Sequence, residues 1–174
     1  ATDSFGSYTF STVTDVDYVA GKHNNAADFN GSSSYMQGGA FNFSAAGSMS
    51  VWIKQDSTAA SRQVMDGGSN GTGTTLANQS GINIQINNGT AYIAIRKLNT
   101  GTFINFGSFG TGAWKHLVYT WNGTERNLYV NGLLHSSLIH ENLGAFTGQI
   151  IFGRRLDGAN YHDGGVDECA IFNR

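Results

Sequence analysis

The sequence predicts an all-β domain, a sandwich or a barrel, on three observations. Eight of the 24 glycines directly follow Asn or Asp, and such pairs accept the positive φ angles of tight two-residue hairpin turns. The short segments between them are rich in β-branched and aromatic residues, and the clearest alternate apolar with polar, the period of a strand with one buried face. Helical periodicity is nearly absent, with residues 57–65 offering a turn or two. Many short strands between Gly-rich turns give two packed layers or a closed barrel.

Residues 1–19, with Phe5, Tyr8, Phe10 and Tyr18, read as an edge strand or as an arm that docks on a partner. Residues 48–54 form the next strand candidate. In residues 81–86, Ile82, Ile84 and Ile86 share one side while Asn83 and Gln85 take the other. After the Asn87-Asn88-Gly89 turn, Ala91, Ile93 and Ile95 repeat the pattern, so the two runs make a β-hairpin. Residues 114–121 form a further strand. Leu128-Tyr129-Val130 enters Asn131-Gly132 and leaves through Leu133-Leu134 as a second hairpin. Residues 148–153 and 166–172 supply the last two strands. Cys169 is expected in the final one as a small buried side chain.

Composition narrows the function. The chain has 174 residues and a net charge of −2, the size of one domain with a real core. Its four Lys and six Arg are scattered, which makes nucleic acid a poor partner. No apolar run is long enough for a membrane-spanning helix, so membrane insertion is not expected. A single cysteine excludes an intrachain disulfide and a multi-cysteine zinc site. The chain begins at Ala1 with no charged and apolar leader, as expected of a mature product or an excised domain, and compartment is not legible from that.

Four segments carry a family resemblance. Residues 20–36 include Gly21-Lys22, Asn25-Ala26, Phe29-Asn30-Gly31 and Tyr35. Residues 48–54 include Val51-Trp52-Ile53-Lys54. Residues 114–132 run from Trp114-Lys115-His116 through Thr120-Trp121-Asn122-Gly123 to Leu128-Tyr129-Val130-Asn131-Gly132. The last runs from Ile151-Phe152-Gly153-Arg154 through Gly165-Val166-Asp167-Glu168 to Asn173-Arg174. In this order and spacing the chain resembles the laminin-G-like, concanavalin A-like lectin and glucanase jelly rolls, which include pentraxins. The resemblance implies an antiparallel two-sheet β-sandwich over the single domain 1–174, with one concave face, mostly in extracellular proteins.

Fold is shared across many functions, so function rests on the site. Glycosidases of this superfamily need two carboxylates flanking the scissile bond. The three Glu residues, Glu125, Glu141 and Glu168, lack that context, and adjacent Asp167 and Glu168 point to opposite faces of a strand. The protein is therefore expected to be non-catalytic. Sugars are held by aromatic rings against their C–H faces and by amides and carboxylates that pair hydroxyls. The richest cluster of such residues is Arg154, Arg155, Asp157, Asn160, Tyr161 and His162, with Ser69 and Asn70 from a second Gly-rich loop. By residue type alone this is a solvated loop; the resemblance makes it a candidate glycan site. Trp52, Trp114 and Trp121 read as core residues with satisfied N–H groups, Trp121 least securely, and His116 as a structural histidine near the sandwich edge. The resemblance also implies Ca2+ at a sandwich rim, with Asn30, Asp163 and Asp167 as ligands. The competing reading makes Asp167 a turn cap and pairs Glu168 with an arginine. Two partner classes follow: a glycan, or a host or capsid surface protein contacted by a virion-surface, tail-fibre or adhesin protein that works as an oligomer.

Overall fold

The computed structural model describes residues 8–58, 61–68, 81–97, 100–139 and 144–174. Fourteen strands form two seven-stranded antiparallel sheets packed face to face. Sheet A contains β1 (Phe10–Thr14), β4 (Tyr35–Phe43), β13 (Phe146–Phe152), β6 (Ser61–Gly68), β7 (Gly81–Asn87), β8 (Thr90–Lys97) and β9 (Thr100–Ser108), in that spatial order. Sheet B contains β12 (Leu133–Ile139), β11 (Glu125–Val130), β10 (Lys115–Asn122), β5 (Ala46–Ile53), β14 (Asp163–Asn173), β3 (Asn25–Asn30) and β2 (Asp17–Ala20). The expected two-sheet sandwich is the observed architecture.

Period-two alternation builds the interior. Met49, Val51 and Ile53 of β5 face Ile82, Ile84 and Ile86 of β7 across the core, with Leu117, Tyr119 and Trp121 of β10 beside them. Trp121 is buried and donates its indole N–H to the Ser44 carbonyl at 3.0 Å, the satisfied core arrangement expected of it. Along β1, β4 and β13 the core continues as a chain of rings. Phe43 stacks on Phe146 at 4.5 Å, Phe41 meets Phe43 at 4.7 Å, and Tyr8 meets both Phe10 and Phe41 edge-on. Tyr8 and Phe10 thus hold β1 against the rest of sheet A, whereas Tyr18 is exposed on β2 at the edge of sheet B and Phe5 lies outside the described residues.

Both expected hairpins are present. Asn88 and Gly89 join β7 to β8 with φ of 46° and 77°, and Asn131 and Gly132 join β11 to β12 with 50° and 81°. Both central residues have positive φ, the geometry that matches strand twist. Other Asx-Gly pairs do different work. Asp66-Gly67 lies inside β6, paired with Asn83 and Ile82, and Asp163-Gly164 opens β14 against Asn30 and Phe29. Ladder hydrogen bonds on both flanks override the local turn preference there. The helical turn expected near residues 57–65 is replaced by β6 from Ser61 onward, and no helix occurs among the described residues.

The last strand departs from expectation at Cys169. Asp167 opposes Trp52 and Ala170 opposes Ser50, so one extra residue is fitted between them, and Glu168 takes φ of 46°. This β-bulge breaks the alternation and leaves Cys169 with exposed surface, while burial around the thiol pushes its pKa up to about 12.

Candidate functional site

After β13 the chain does not leave sheet A. Gly153 N–H donates to Val64 O (3.0 Å), the Asn160 carbonyl accepts from Gln63 N–H (2.7 Å), and Tyr161 forms a bridge with Gln63. Between these anchors residues 154–160 loop over the outer face of the sheet. That position follows from Leu156 N–H, which donates to Asp66 Oδ2 at 3.0 Å. Asp66 shares an outward row with Gln37, Ile151 and Asn83, and Ile151 is fully buried on that face. In the orientation that satisfies the Asn83 amide, its Nδ2 donates to Asp66 Oδ1 at 2.8 Å, so backbone and amide donors hold both oxygens of this buried carboxylate.

The loop is braced from within. Arg155 grips Asp157 through two guanidinium hydrogen bonds, Nε to Oδ1 at 2.8 Å and Nη2 to Oδ2. The pair, with the Ala159 amide on Asp157, holds the Asp157 carboxyl below the usual carboxylate range. Backbone bonds Arg155 N–H to Ala159 O and Gly158 N–H to Arg155 O close the turn. A bidentate pair of this kind spends its donors internally. Arg155 and Asp157 therefore shape the loop.

Beside it lies a ladder of polar side chains. Gln149 Oε1 accepts from Gln37 Nε2 at 3.2 Å, and Gln37 Oε1 accepts from Arg154 Nη2 at 3.0 Å. The Arg154 guanidinium lies 3.8 Å over the ring of Tyr35. Tyr35 and Gln37 alternate with buried Met36 on β4, and Gln149 alternates with buried Gly148 and Ile150 on β13, which sends all three outward. Aromatic ring, amides and guanidinium are the groups that pair with a polyhydroxylated ligand.

Of the residues anticipated for this site, Arg154, Arg155, Asp157, Asn160 and Tyr161 come together on the loop. Ser69 and Asn70 lie outside the described residues. His162 is a correction. It is fully buried, its ring 6.0 Å from that of Phe29, and it cannot meet a ligand at the surface. Its backbone is pinned between Gly153 O and Gly31 N–H, which pulls the side chain into the core. Burial, reinforced by the positive charge of Arg62, pushes its pKa down to about 3, so it is neutral at ordinary pH. Tyr35, Gln37 and Gln149 were not anticipated. The alternation of Tyr35-Met36-Gln37 and of Gly148-Gln149-Ile150 carried the signal, but only the pairing of β4 with β13 joins the two segments.

The residues anticipated for calcium do not form one centre. Asn30 and Asp163 are direct cross-strand partners, while Asp167 lies four residues further along β14, about 13 Å on an extended strand. Asn30 Oδ1 already accepts from Ser32, Ser33 and Ser34 backbone N–H groups and from Ser32 Oγ. Asp163 lies 3.9 Å from Arg62. Asp167 Oδ2 accepts from the Lys22 and His23 amides at 2.7 and 3.1 Å, and Oδ1 from the Glu168 amide at 2.9 Å. Hard cations need free oxygens gathered at one point; the Asn30 and Asp167 side-chain oxygens already accept hydrogen bonds and Asp167 lies apart from the other two, so the three together do not fit one ion. No group of three or more metal-ligating His, Cys, Asp or Glu side chains occurs among the described residues. The turn-cap reading of Asp167 is the observed one. Glu168 is 3.7 Å from His23 Nδ1, an exposed contact, rather than paired with an arginine.

The Asp167 cap also couples the first resemblance segment to the last. A Cβ on Gly21 would collide with Asp167 Oδ2, so the glycine leaves room for the carboxylate that holds its turn. Asp167→Ala is expected to lower stability by about 1–2 kcal/mol, the cost of losing a cap on part-buried amides, measured by urea unfolding.

On sheet B the outer face carries a second aromatic group, against the expectation that Trp52 and Trp114 are core. Trp52 stacks on His116 at 4.8 Å with Lys22 Nζ 4.7 Å over its ring. Ser50 Oγ lies 2.8 Å from His116 Nε2, so His116 is a structural histidine on a central strand rather than at an edge. Trp114 covers Gly165 and lies 6.0 Å from Lys54 Nζ. Each indole thus has a lysine ammonium near its ring.

Among solved structures, domain 4 of AbnA, an extracellular GH43 arabinanase from Geobacillus stearothermophilus solved with arabinotriose, superposes with a TM-score of 0.69 at 19% identity, over 92% of this chain and 76% of that one. The CBM40 of the Ruminococcus gnavus IT-sialidase gives 0.59 at 16% identity, over 73% and 75%. Mouse laminin α1 domains LG4-5 give 0.61 at 12% identity, over 84% of this chain and 40% of that longer one. These likenesses show a shared fold. A search of the curated proteins gives no match. The model of the laminin G type, described as the concanavalin A-like lectin/glucanases superfamily, matches residues 18–174, and the chain belongs to that family.

Proposed function

We propose that this protein is a non-catalytic carbohydrate-binding module that holds a glycan on the outer face of sheet A, against Tyr35, Gln37, Gln149 and Arg154 and the adjoining loop of Asn160 and Tyr161. The observation that carries this reading is the hydrogen-bonded ladder Gln149–Gln37–Arg154 ending on the Tyr35 ring. Its members are already oriented before a ligand arrives, which lowers the entropy lost on binding. Support comes from two structural neighbours, an arabinanase domain with arabinotriose and a sialidase CBM40. Action outside the cell is part of the proposal, in keeping with an extracellular arabinanase and laminin among the neighbours.

A glycan array tests it. Binding to at least one glycan class is expected, and because the proposed contacts are direct side-chain contacts, EDTA is expected to leave it undiminished. Tyr35→Ala is expected to weaken binding about tenfold, by removing the ring that orients the Arg154 guanidinium. No binding to any glycan overturns the reading.

A second reading has its own observation. On edge strand β12, Leu133, Leu134 and Ile139 are 75%, 58% and 85% exposed, a surface that suits a protein contact in a virion or cell-surface assembly. Light scattering that shows a stable oligomer, together with an empty glycan array, would favour it.

A further inference from the structure

Building on the carbohydrate-binding reading, we infer that the ligand is an acidic glycan, whose sugar carboxylate is held by Arg154. Three arginines surround the loop. Arg155 is paired with Asp157, and Arg62 reaches Asp163 and the carbonyls of Gly31 and Tyr161. Arg154 has no ion pair among the described residues. Its contacts are the Gln37 amide and the Tyr35 ring, both neutral, and its Nε is buried with no hydrogen-bond partner.

A half-buried guanidinium without a counter-charge is costly to keep unless a ligand supplies one. The five N–H donors of arginine form a rigid planar fork that matches a carboxylate. Here one face of the plane lies on Tyr35, and Gln37 fixes one Nη2 donor, so the fork is oriented. Nη1 faces Gly158, whose missing side chain avoids the tight 3.1 Å contact that a Cβ there would make with it. The neighbouring Gln149 and Gln37 amides offer hydrogen-bonding groups of both kinds for the hydroxyls of the same sugar.

Two sources of a sugar carboxylate, uronates and sialates, are separated by the probes. The test is calorimetric titration of the intact chain with trigalacturonate and its methyl ester, and with sialyllactose and lactose. One acidic probe is expected to bind at least about tenfold tighter than its neutral counterpart, the scale of a charge-assisted hydrogen bond. That preference should shrink as NaCl is raised, since salt screens charge. Arg154→Gln should abolish the preference, and Arg154→Lys should recover part of it, because a point charge lacks the fork. Melting curves confirm that the variants fold, and the wild-type salt dependence stands as a readout if they do not. Neutral probes that bind as well as acidic ones, or an Arg154→Gln protein that keeps the preference, overturn the inference while carbohydrate binding stands. If no probe binds and the glycan array is also empty, both fall.

Discussion

Gly153→Ala destabilises the fold by about 2–5 kcal/mol, the sum expected for a side chain in the left-handed region and for overpacking a filled core. Gly153 has φ of 87°, and a Cβ there would drive into the Phe29 ring and stand 2.8 Å from the Ser34 carbonyl. Neither neighbour can yield cheaply. Phe29 is 1% exposed in the core, and the Ser34 carbonyl belongs to backbone. Gly153 is also the hinge at which the chain leaves β13, with its N–H on Val64 and its carbonyl accepting from His162 N–H. The substitution should therefore displace the loop of Arg154 and weaken any glycan binding together with stability. Urea unfolding measures the first effect; a loss under 1 kcal/mol would show that the site relaxes around the methyl group.

The second large effect is acid lability through His162. In the native state burial holds its pKa near 3, against about 6.5 in the unfolded chain. Between those values the unfolded state binds more protons. Stability is therefore whole above pH 6.5 and is lost as pH falls through the window. By pH 4.5 this amounts to roughly 3 kcal/mol, the scale of two pH units of differential proton binding. Among the described residues neither ring nitrogen makes a well-formed hydrogen bond. The Gly165 and Lys54 backbones pull the pKa the other way, too weakly to offset burial. His162→Leu should remain folded and show a pH dependence between 7 and 4.5 flatter by that amount in urea titrations. Asp157, whose carboxyl is held low by Arg155, loses its contribution only at lower pH and is common to both proteins. Parallel profiles for the two proteins would contradict a buried neutral imidazole.

These two residues show what the sequence makes legible. The hairpins at Asn88-Gly89 and Asn131-Gly132, the isoleucine alternation of β7 and the sandwich itself are local or family-level signals, and the structure repeats them. The spacing of His162 among polar loop residues marks it as a surface group. What decides its place is non-local, the capture of its backbone between Gly153 and Gly31. Trp52 and Trp114 look like core because they sit among apolar neighbours. Strand phase puts Trp52 outside, with Met49, Val51 and Ile53 taking the interior positions of β5, and Trp114, just ahead of β10, lies over Gly165 on the same outer face. The Gly21 and Asp167 motifs lie 146 positions apart along the chain and meet only once β3 and β14 pair. The loop of Arg154 to Tyr161 could be found from its residue types, but the ladder beside it draws on β4 and β13, whose pairing no local pattern announces.

The most direct test of the central claim is a 1H–15N NMR titration with arabinotriose, sialyllactose and trigalacturonate. The glycan-binding account predicts that at least one of them shifts amides of residues 35–37, 149 and 154–161 as a single cluster, and leaves those of β5 and β10 around Trp52 and His116 unmoved. Shifts confined to the Trp52 and Trp114 face of sheet B or to Leu133 and Leu134, or no shift with any of the three sugars, would contradict it.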